Sequence, residues 1–261
     1  MFKILIILLA LVLITGEANT EWVKIIEKSI TTPNDIVPIT DSLVVPYVYT
    51  RAISLNQLPT SEKKTKFFEM LLPAILVAET EKQLTREKVI RLSKKPKLTA
   101  EEQAFISRLM TEYKAKTVQM LIARLHSFPV SIVLAQAAIE SGWGTSRFFL
   151  QANNPFGIWS FKLDEKRIEA GSHRRGEKIY LRKFDNLEQS IEAYYVMLAS
   201  GPYSDFRAAM QTTSDPYKLC DYLIDYSERR EEYVAELKNF IRANDLVKYD
   251  DYRIAPKYVV K

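Results

Sequence analysis

The sequence has 261 residues, of which 47% are hydrophobic and 26% charged, and these proportions exclude a disordered chain. A net charge of +5 suits approach to an anionic polymer or a membrane surface. Basic and acidic residues are mixed along the chain without a Lys/Arg block interleaved with aromatics, so nucleic acid is not an expected partner. Only seven glycines, with many Leu, Ala, Glu and Lys residues, predict a mainly helical α+β protein.

The N-terminus has the pattern of an export signal. Lys3 precedes an apolar run over residues 4–14, and small and polar residues follow up to Ala18. This order predicts a secretory signal peptide over residues 1–18. The run is too short to span a bilayer comfortably, so a cleaved signal is favoured over a retained membrane anchor, although both fit the pattern.

The next hundred residues predict packing rather than chemistry. Residues 19–60 form an extended arm in which prolines separate short β-branched pieces, and residues 61–115 form a helical N-terminal region. Pro73 is expected to kink the first helix. Thr99 and Glu102 have the spacing of a capping box that opens a second helix.

A carboxylate stands at the end of the most apolar predicted helix. Pro129 suits the first turn, residues 132–139 are apolar nearly all round, and Gly142 and Gly144 end the helix just after Glu140. The negative end of the helix dipole and the apolar neighbours both raise the pKa of such a carboxyl. A carboxylic acid that keeps its proton can protonate a glycosidic oxygen, but a carboxylate that hydrogen-bonds a neighbouring loop fits the same placement.

The flanking sequence distinguishes these two interpretations. Residues 134–146 read LAQAAIESGWGTS and residues 153–158 read NNPFGI. Together they closely resemble the glucosaminidase family that includes flagellar and autolytic peptidoglycan hydrolases, and the FFEMLLP sequence at 67–73 places the nearest resemblance with the Bax-type proteins of Gram-negative bacteria. The resemblance implies that Glu140 is the catalytic acid.

The resemblance also implies an architecture and a location. It covers about residues 116–245, so we assign a lysozyme-like glucosaminidase domain to residues 116–248, with a small β-hairpin lobe, and a tail to residues 249–261. We expect an exported, periplasmic protein, with membrane anchoring by an uncleaved signal as the open alternative.

A second carboxylate is expected on the hairpin. Residues 156–161 and 177–184 have strand patterns on either side of a long polar loop. Relatives carry an acidic residue on this hairpin that positions or activates water, as an inverting mechanism requires. Glu169 is our choice and Glu177 the second, while a solvated loop charge is the plain alternative for each.

Further site residues follow from the resemblance and from sugar chemistry. The family carries Tyr-Ala-Thr-Asp-Pro-x-Tyr-Ala, and its first tyrosine lies in the catalytic groove. This sequence keeps tyrosines at 226 and 233 but has no Asp-Pro between them. Tyr226 is expected to act beside the reaction centre, with an aromatic core residue as the alternative.

Sugar rings stack on aromatic faces and acetamido groups need paired donors and acceptors. The expected substrate-binding residues, for most of which packing or turn capping is the alternative, are Trp143, Asn154, Phe156, Trp159 and Tyr233.

The predicted activity is hydrolysis of the β-1,4 bond on the reducing side of N-acetylglucosamine in peptidoglycan, by general acid catalysis. Peptidoglycan glycan strands are the expected partner, with transient membrane or cell-wall association, and the oligomeric state stays open. No metal or cofactor is expected, because His126 and His173 lack metal-ligand spacing. A lytic transglycosylase and a non-catalytic wall-binding scaffold are the alternatives.

Overall fold

Helices dominate the computed structural model, which describes residues 22–174 and 177–260; the signal predicted over residues 1–18 lies outside them. The helices are α1 Thr60–Ser93, α2 Ala100–Glu112, α3 Val118–Arg124, α4 Val130–Ser141, α5 Arg147–Ala152, α6 Leu187–Ser200, α7 Ser204–Ala209, α8 Pro216–Cys220 and α9 Glu231–Ala243. The strands are β1 Ile26–Lys28, β2 Leu43–Val44, β3 Tyr47–Tyr49, β4 Arg167–Arg174, β5 Glu177–Arg182 and β6 Arg253–Ile254. The prediction of a mainly helical α+β fold with a helical N-terminal extension and a small hairpin lobe is confirmed.

The arm and the tail are joined to each other by short strand pairs. Strand β1 pairs with β3 in parallel, and β2 pairs in parallel with β6 of the tail. The arm is also tied to the segment after α5, because the Asn153 side chain accepts a hydrogen bond from the Ala52 amide at 2.9 Å and donates to the Thr50 carbonyl at 3.0 Å. The tail is therefore tied to the arm, and the arm is tied to the segment that follows α5.

The N-terminal extension is built on one long helix. Helix α1 is helical on both sides of Pro73, where the sequence predicted a kink, and its middle third is buried on every side. The capping box of α2 is confirmed: the Thr99 side chain accepts from the Glu102 amide at 3.2 Å, and the Glu102 carboxylate accepts from the Thr99 amide at 3.0 Å. Helices α2 and α3 pack over the C-terminal part of α1 around a small apolar core.

Helix α4 is the centre of the domain. It packs against α1 and α9, and its residues from Val130 to Ala138 are buried, as the continuous apolar run predicted. The helix ends at Gly142, whose left-handed φ of 57° places its N–H on the carbonyls of Ala138 and Ile139. A Cβ added to Gly142 would meet the Thr145 hydroxyl at 2.9 Å. Glycine at this position therefore fixes the end of the helix two residues after Glu140.

The hairpin lobe differs from its prediction. Strand β5 pairs antiparallel with β4, which lies inside the segment expected to be a polar loop. The predicted strand at residues 156–161 is reduced to a bridge between Trp159 and Leu181, flanked by bonds from the Ser160 amide to the Tyr180 carbonyl and from the Arg182 amide to the Ile158 carbonyl. Gly157, with a φ of 63°, takes the chain out of the extended conformation inside the predicted strand. Strand β4 pairs with the other edge of β5 and places Ile168 opposite Leu181.

Within the described ranges, no helix combines the length and the apolar character that crossing a bilayer would require.

Candidate active site

The carboxyl of Glu140 lies where the sequence placed it, in the last turn of α4. The residue is exposed to solvent, yet protein atoms surround the carboxyl closely enough that desolvation raises its pKa above the usual value. A hydrogen bond with Tyr233 and the charge of Arg229 act in the opposite direction, while the charge of Glu236 adds to the rise. The result is a carboxyl that solvent can reach and that keeps its proton to a higher pH than an ordinary glutamate, as a proton donor needs.

Two charged residues next to Glu140 are paired with each other. The Arg229 guanidinium contacts the Glu236 carboxylate at 2.5 Å, and it lies 5.7 Å from the centre of the Tyr233 ring. Both partners are about half exposed, so solvent screens their charges. The charges of Arg229 and Glu236 act on the pKa of Glu140 in opposite directions, so burial remains the main cause of the raised pKa of Glu140.

A buried hydrogen-bond chain runs from α6 toward the carboxyl of Glu140. The Tyr194 hydroxyl donates to Oε1 of Gln136, and Nε2 of Gln136 donates to the Tyr233 hydroxyl oxygen at 2.8 Å. Hydrogen bonding by Tyr233 in turn lowers the pKa of the Glu140 carboxyl. All three of the supporting side chains are buried. The acid is thus connected through two tyrosines and one amide to the core of the domain.

Both predicted tyrosines lie beside Glu140. The rings of Tyr226 and Tyr233 stack with centres 5.5 Å apart and planes 12° apart, and Tyr203 packs against the other side of Tyr226 at 6.2 Å. Burial, with the nearby charge of Glu140 among the further causes, raises the pKa of Tyr226 and of Tyr203. The structure therefore brings Tyr226 and Tyr233 together with the acid, although the Asp-Pro of the family pattern is missing.

Three of the predicted substrate-binding residues make packing contacts. The Trp143 ring lies between Phe68 and Phe240, at 5.5 and 5.0 Å between ring centres. Phe156 is buried and stacks on Tyr194 at 4.2 Å. The buried Asn154 amide donates to the carbonyls of residues 158 and 182 and accepts from the amide of residue 158. These contacts hold the lobe and the end of α4 in place.

Trp159 has a different environment from those three. Its side chain stands on the lobe, is 39% exposed, and lies with its ring centre 6.1 Å from that of Phe161, which is 83% exposed. Two neighbouring aromatic side chains that are partly exposed can together form a surface on which a sugar ring stacks. Among the predicted binding residues, Trp159 thus offers an aromatic face to solvent.

The predicted second carboxylate, Glu169, lies on β4. Its carboxylate contacts Nζ of Lys178 across the hairpin at 3.1 Å, and both side chains are substantially exposed. Its backbone carbonyl accepts a 2.7 Å hydrogen bond from Arg147, in the first turn of α5. Arg147 therefore ties this part of the lobe to the helix that follows the end of α4. The side chain of the alternative, Glu177, lies outside what the structure describes.

No cluster of His, Cys, Asp and Glu that could hold a metal ion is found among the residues that the structure describes.

A cavity of 440 Å³ lies away from Glu140, between α1, α2 and α6, where Lys82, Glu112 and Glu192 are among its lining residues. Glu140 is instead an exposed residue near Arg229 and Tyr233, so solvent reaches it without passing through that cavity.

Sequence reasoning missed Gln136, Tyr194, Arg229 and Glu236 as neighbours of the acid. Gln136 did carry a signal, because it is the one amide side chain within the apolar run 132–139 and a buried amide requires partners. The other three come from distant segments, and only the packing of α4 against α6 and α9 brings them to Glu140.

Comparison with known proteins places these features in a family. Residues 115–246, which are 132 of the 261, match Glucosaminidase, described as mannosyl-glycoprotein endo-beta-N-acetylglucosaminidase. The chain is 27% identical over 215 residues to the exo-glucosaminidase LytG of Bacillus subtilis (strain 168), covering 74% of this chain and 68% of LytG. It is also 27% identical over 154 residues to Protein bax of Escherichia coli (strain K12), covering 56% of this chain and 54% of that protein.

Two solved structures are similar at lower identity. The catalytic domain of the autolysin Auto from Listeria monocytogenes is 20% identical with a TM-score of 0.41, and the match covers 64% of this chain and 97% of that one. The peptidoglycan hydrolase from Sphingomonas sp. A1 is 21% identical with a TM-score of 0.38, over 56% of this chain and 92% of that one.

Proposed function

We propose that this chain, which belongs to the Glucosaminidase family of glycoside hydrolases, cleaves the β-1,4 bond on the reducing side of N-acetylglucosamine in peptidoglycan. The family membership confirms the resemblance seen in residues 134–158. Glucosaminidase activity is supported by the similarity to the exo-glucosaminidase LytG. Peptidoglycan as the substrate is supported by the resemblance of residues 134–158 to peptidoglycan hydrolases. The apolar run at residues 4–14 and a cell-wall substrate together support export to the periplasm.

The observation that carries the proposal is the environment of Glu140. Its carboxyl is reachable from solvent, burial raises its pKa, and Tyr233 hydrogen-bonds it. In the reaction, the Glu140 proton moves to the glycosidic oxygen as the bond between that oxygen and C1 of N-acetylglucosamine breaks. Water adds its oxygen to C1, and the second proton of that water passes to a base.

We assign the role of that base to Glu169. An inverting glycosidase has its second carboxyl on the far side of the sugar, separated from the acid by room for a water molecule. The Lys178 contact is exposed and therefore weak enough to yield to a substrate. The Arg147 bond to the backbone of Glu169 holds this strand to the catalytic domain while the side chain stays free to turn.

The remaining site residues are assigned to the glycan. Trp159, together with Phe161, gives a stacking surface for a sugar ring on the lobe. Tyr226 lies beside the acid and is assigned a hydrogen bond to the N-acetyl sugar, while Tyr233 contacts Glu140. Trp143, Asn154 and Phe156 support the site indirectly, because their packing and hydrogen bonds hold the lobe and the end of α4 in place. The chemistry requires no metal ion, because Glu140 itself supplies the proton.

Digestion of purified peptidoglycan tests the proposed bond. We expect new reducing ends that are N-acetylglucosamine, detected by mass spectrometry after borohydride reduction, with the oxygen of water incorporated when the digestion is run in H₂¹⁸O. Anhydro-muramyl ends would show a lytic transglycosylase, and intact glycan strands at every enzyme concentration would show a scaffold. Either of those results overturns the proposal.

Glu169→Gln tests the second carboxylate. We expect a loss of about 100-fold in kcat with a small change in KM, because the amide cannot take the proton of the attacking water. The matched control is Asp164→Asn, which also neutralises an exposed lobe carboxylate and should keep a near wild-type rate. Initial rates of reducing-end release measure both variants. Equal rates for the two variants would contradict the assignment of Glu169.

A further inference from the structure

We propose that Gln136 is a positioning residue: its side-chain amide turns the Tyr233 hydroxyl so that this hydroxyl donates its hydrogen to Glu140. The inference rests on the proposed role of Glu140 as the proton donor. In addition, Gln136 of α4 orients the hydroxyl that stabilises the Glu140 carboxylate, which forms when the proton leaves.

The geometry places Gln136 one helical turn before Glu140, on the same helix. Residues four apart on an α-helix lie on one face, so both side chains reach toward α9. Gln136 is fully buried, and the surrounding run is otherwise apolar. Burying an amide among apolar residues costs free energy unless it is hydrogen-bonded, and both ends of this amide have partners, Tyr194 and Tyr233.

The direction of the chain follows from which atoms carry hydrogens. Tyr194 donates to Oε1, so the amide must present its NH₂ group to Tyr233. An amide nitrogen only donates, which makes the Tyr233 oxygen the acceptor of that bond. A tyrosine has a single hydroxyl hydrogen, and here it remains available for Glu140. Were the amide turned over, Tyr233 would donate to Gln136 and leave the carboxylate without this donor.

The rings of the chain are held by stacking, so the hydroxyls have little freedom to move. Phe156 covers the Tyr194 ring at 4.2 Å, and Tyr226 covers the Tyr233 ring at 5.5 Å. Phe156 thus contributes to the site through Tyr194, without a contact to Glu140. A donor fixed before the reaction begins stabilises developing charge without the cost of reorganising solvent.

This arrangement matters most at the moment of proton transfer. As Glu140 gives up its proton, negative charge develops on a carboxyl that burial has destabilised, and the Tyr233 hydrogen bond offsets part of that cost. The other groups that act on this carboxyl are Arg229 and Glu236 of the α9 region. Tyr226 of the 221–226 turn and Tyr203 before α7 also face it, because, besides burial, the charge of Glu140 raises the pKa of both hydroxyls. Of these contacts, the Tyr233 bond is the one that Gln136 controls.

The test replaces Gln136 by methionine, which has a similar shape and no hydrogen-bonding amide. We expect kcat to fall about tenfold with KM nearly unchanged, which is the effect of weakening one hydrogen bond to a charged group. The pKa of Glu140 should rise further, so the alkaline limb of the kcat/KM profile should move to higher pH. A role in packing alone would lower the rate or the stability without moving that limb.

Two further variants keep the test decisive. Tyr194→Phe leaves the core ring in place but removes the donor that orients the amide, so it should shift the alkaline limb in the same direction by less. Tyr195→Phe is the matched control: this neighbouring buried tyrosine on α6 has a hydroxyl with no hydrogen-bond partner among the described residues, so its profile should stay wild-type. Glu140→Gln is assayed in parallel. A wild-type pH profile for both Gln136→Met and Tyr194→Phe overturns the positioning role, whereas an active Glu140→Gln overturns the proposed function itself.

Discussion

Glu140→Gln is expected to lower kcat/KM for peptidoglycan hydrolysis by about 10² to 10⁴, the usual contribution of a general acid. Glutamine keeps the size of the side chain and can still hydrogen-bond Tyr233, but it has no acidic proton to give to the leaving oxygen. Initial rates on purified glycan strands, with binding measured separately by sedimentation with insoluble peptidoglycan, distinguish lost chemistry from lost affinity. We expect binding to stay close to that of the wild type.

The matched control is Glu236→Gln, which removes a carboxylate near the same site. Because the charge of Glu236 raises the pKa of Glu140, the control should move the alkaline limb of the rate profile to lower pH and leave the maximal rate within about threefold. If Glu140→Gln retained the wild-type rate while Glu236→Gln lost activity, the assignment of the proton donor would be wrong.

The pH dependence has a definite sign. Glu140 acts in its protonated form, and burial raises the pKa of this carboxyl. Activity is therefore lost as the pH rises through that pKa, and the upward shift extends the active range to higher pH than an ordinary glutamate would allow. Arg229→Met should extend the range further, because the charge of Arg229 lowers the pKa of Glu140.

The position of Glu140 could be predicted because everything that fixes it is local. The apolar run that buries α4 and the glycine that ends it lie within ten residues of the acid, and both features read directly from sequence periodicity. Tyr226 and Tyr233 could be named only through the family resemblance. Their contact with Glu140 depends on how α9 and the 221–226 turn pack against α4, and no local pattern encodes that packing.

The lobe shows where local patterns fail. Strand β4 contains Arg167, Glu169 and Arg174, and this polar composition reads as a loop. The strand forms because β5 offers a pairing edge on that side, with Ile168 placed opposite Leu181. Strand pairing is a non-local interaction, so neither the strand nor the position of Glu169 follows from its own residues.

Lys82 and Glu79 form a buried charge pair on α1, and breaking this pair should have the largest effect on stability. Nζ of Lys82 lies 3.1 Å from the Glu79 carboxylate and is enclosed between the rings of Phe128 and Tyr195, at 3.8 and 4.0 Å from their centres. Both charged residues are buried. We expect Glu79→Leu to lower the free energy of unfolding by about 3–5 kcal/mol, because it leaves the lysine charge buried without its partner.

The double variant Glu79→Leu/Lys82→Met isolates the charge from the packing. It removes both ions, so most of the lost stability should return, and urea unfolding at pH 7 measures the difference. The pH dependence gives an independent check. Burial lowers the pKa of Lys82 from its usual 10.5 to about 8, so between these values the native state binds fewer protons than the unfolded state and stability rises with pH.

The negative charge of Glu79 raises the pKa of Lys82, so removing Glu79 should lower that pKa further. The pH range over which stability rises with pH should therefore extend to lower pH. The gap in stability between Glu79→Leu and the double variant should therefore shrink as the pH rises, since the lysine loses its charge. A gap that stays constant from pH 6 to pH 10 would mean that lost packing, and not the unpaired lysine, destabilises the single variant. Below pH 7 Lys82 is charged in both states of the wild type, so it contributes little to the pH dependence of stability there.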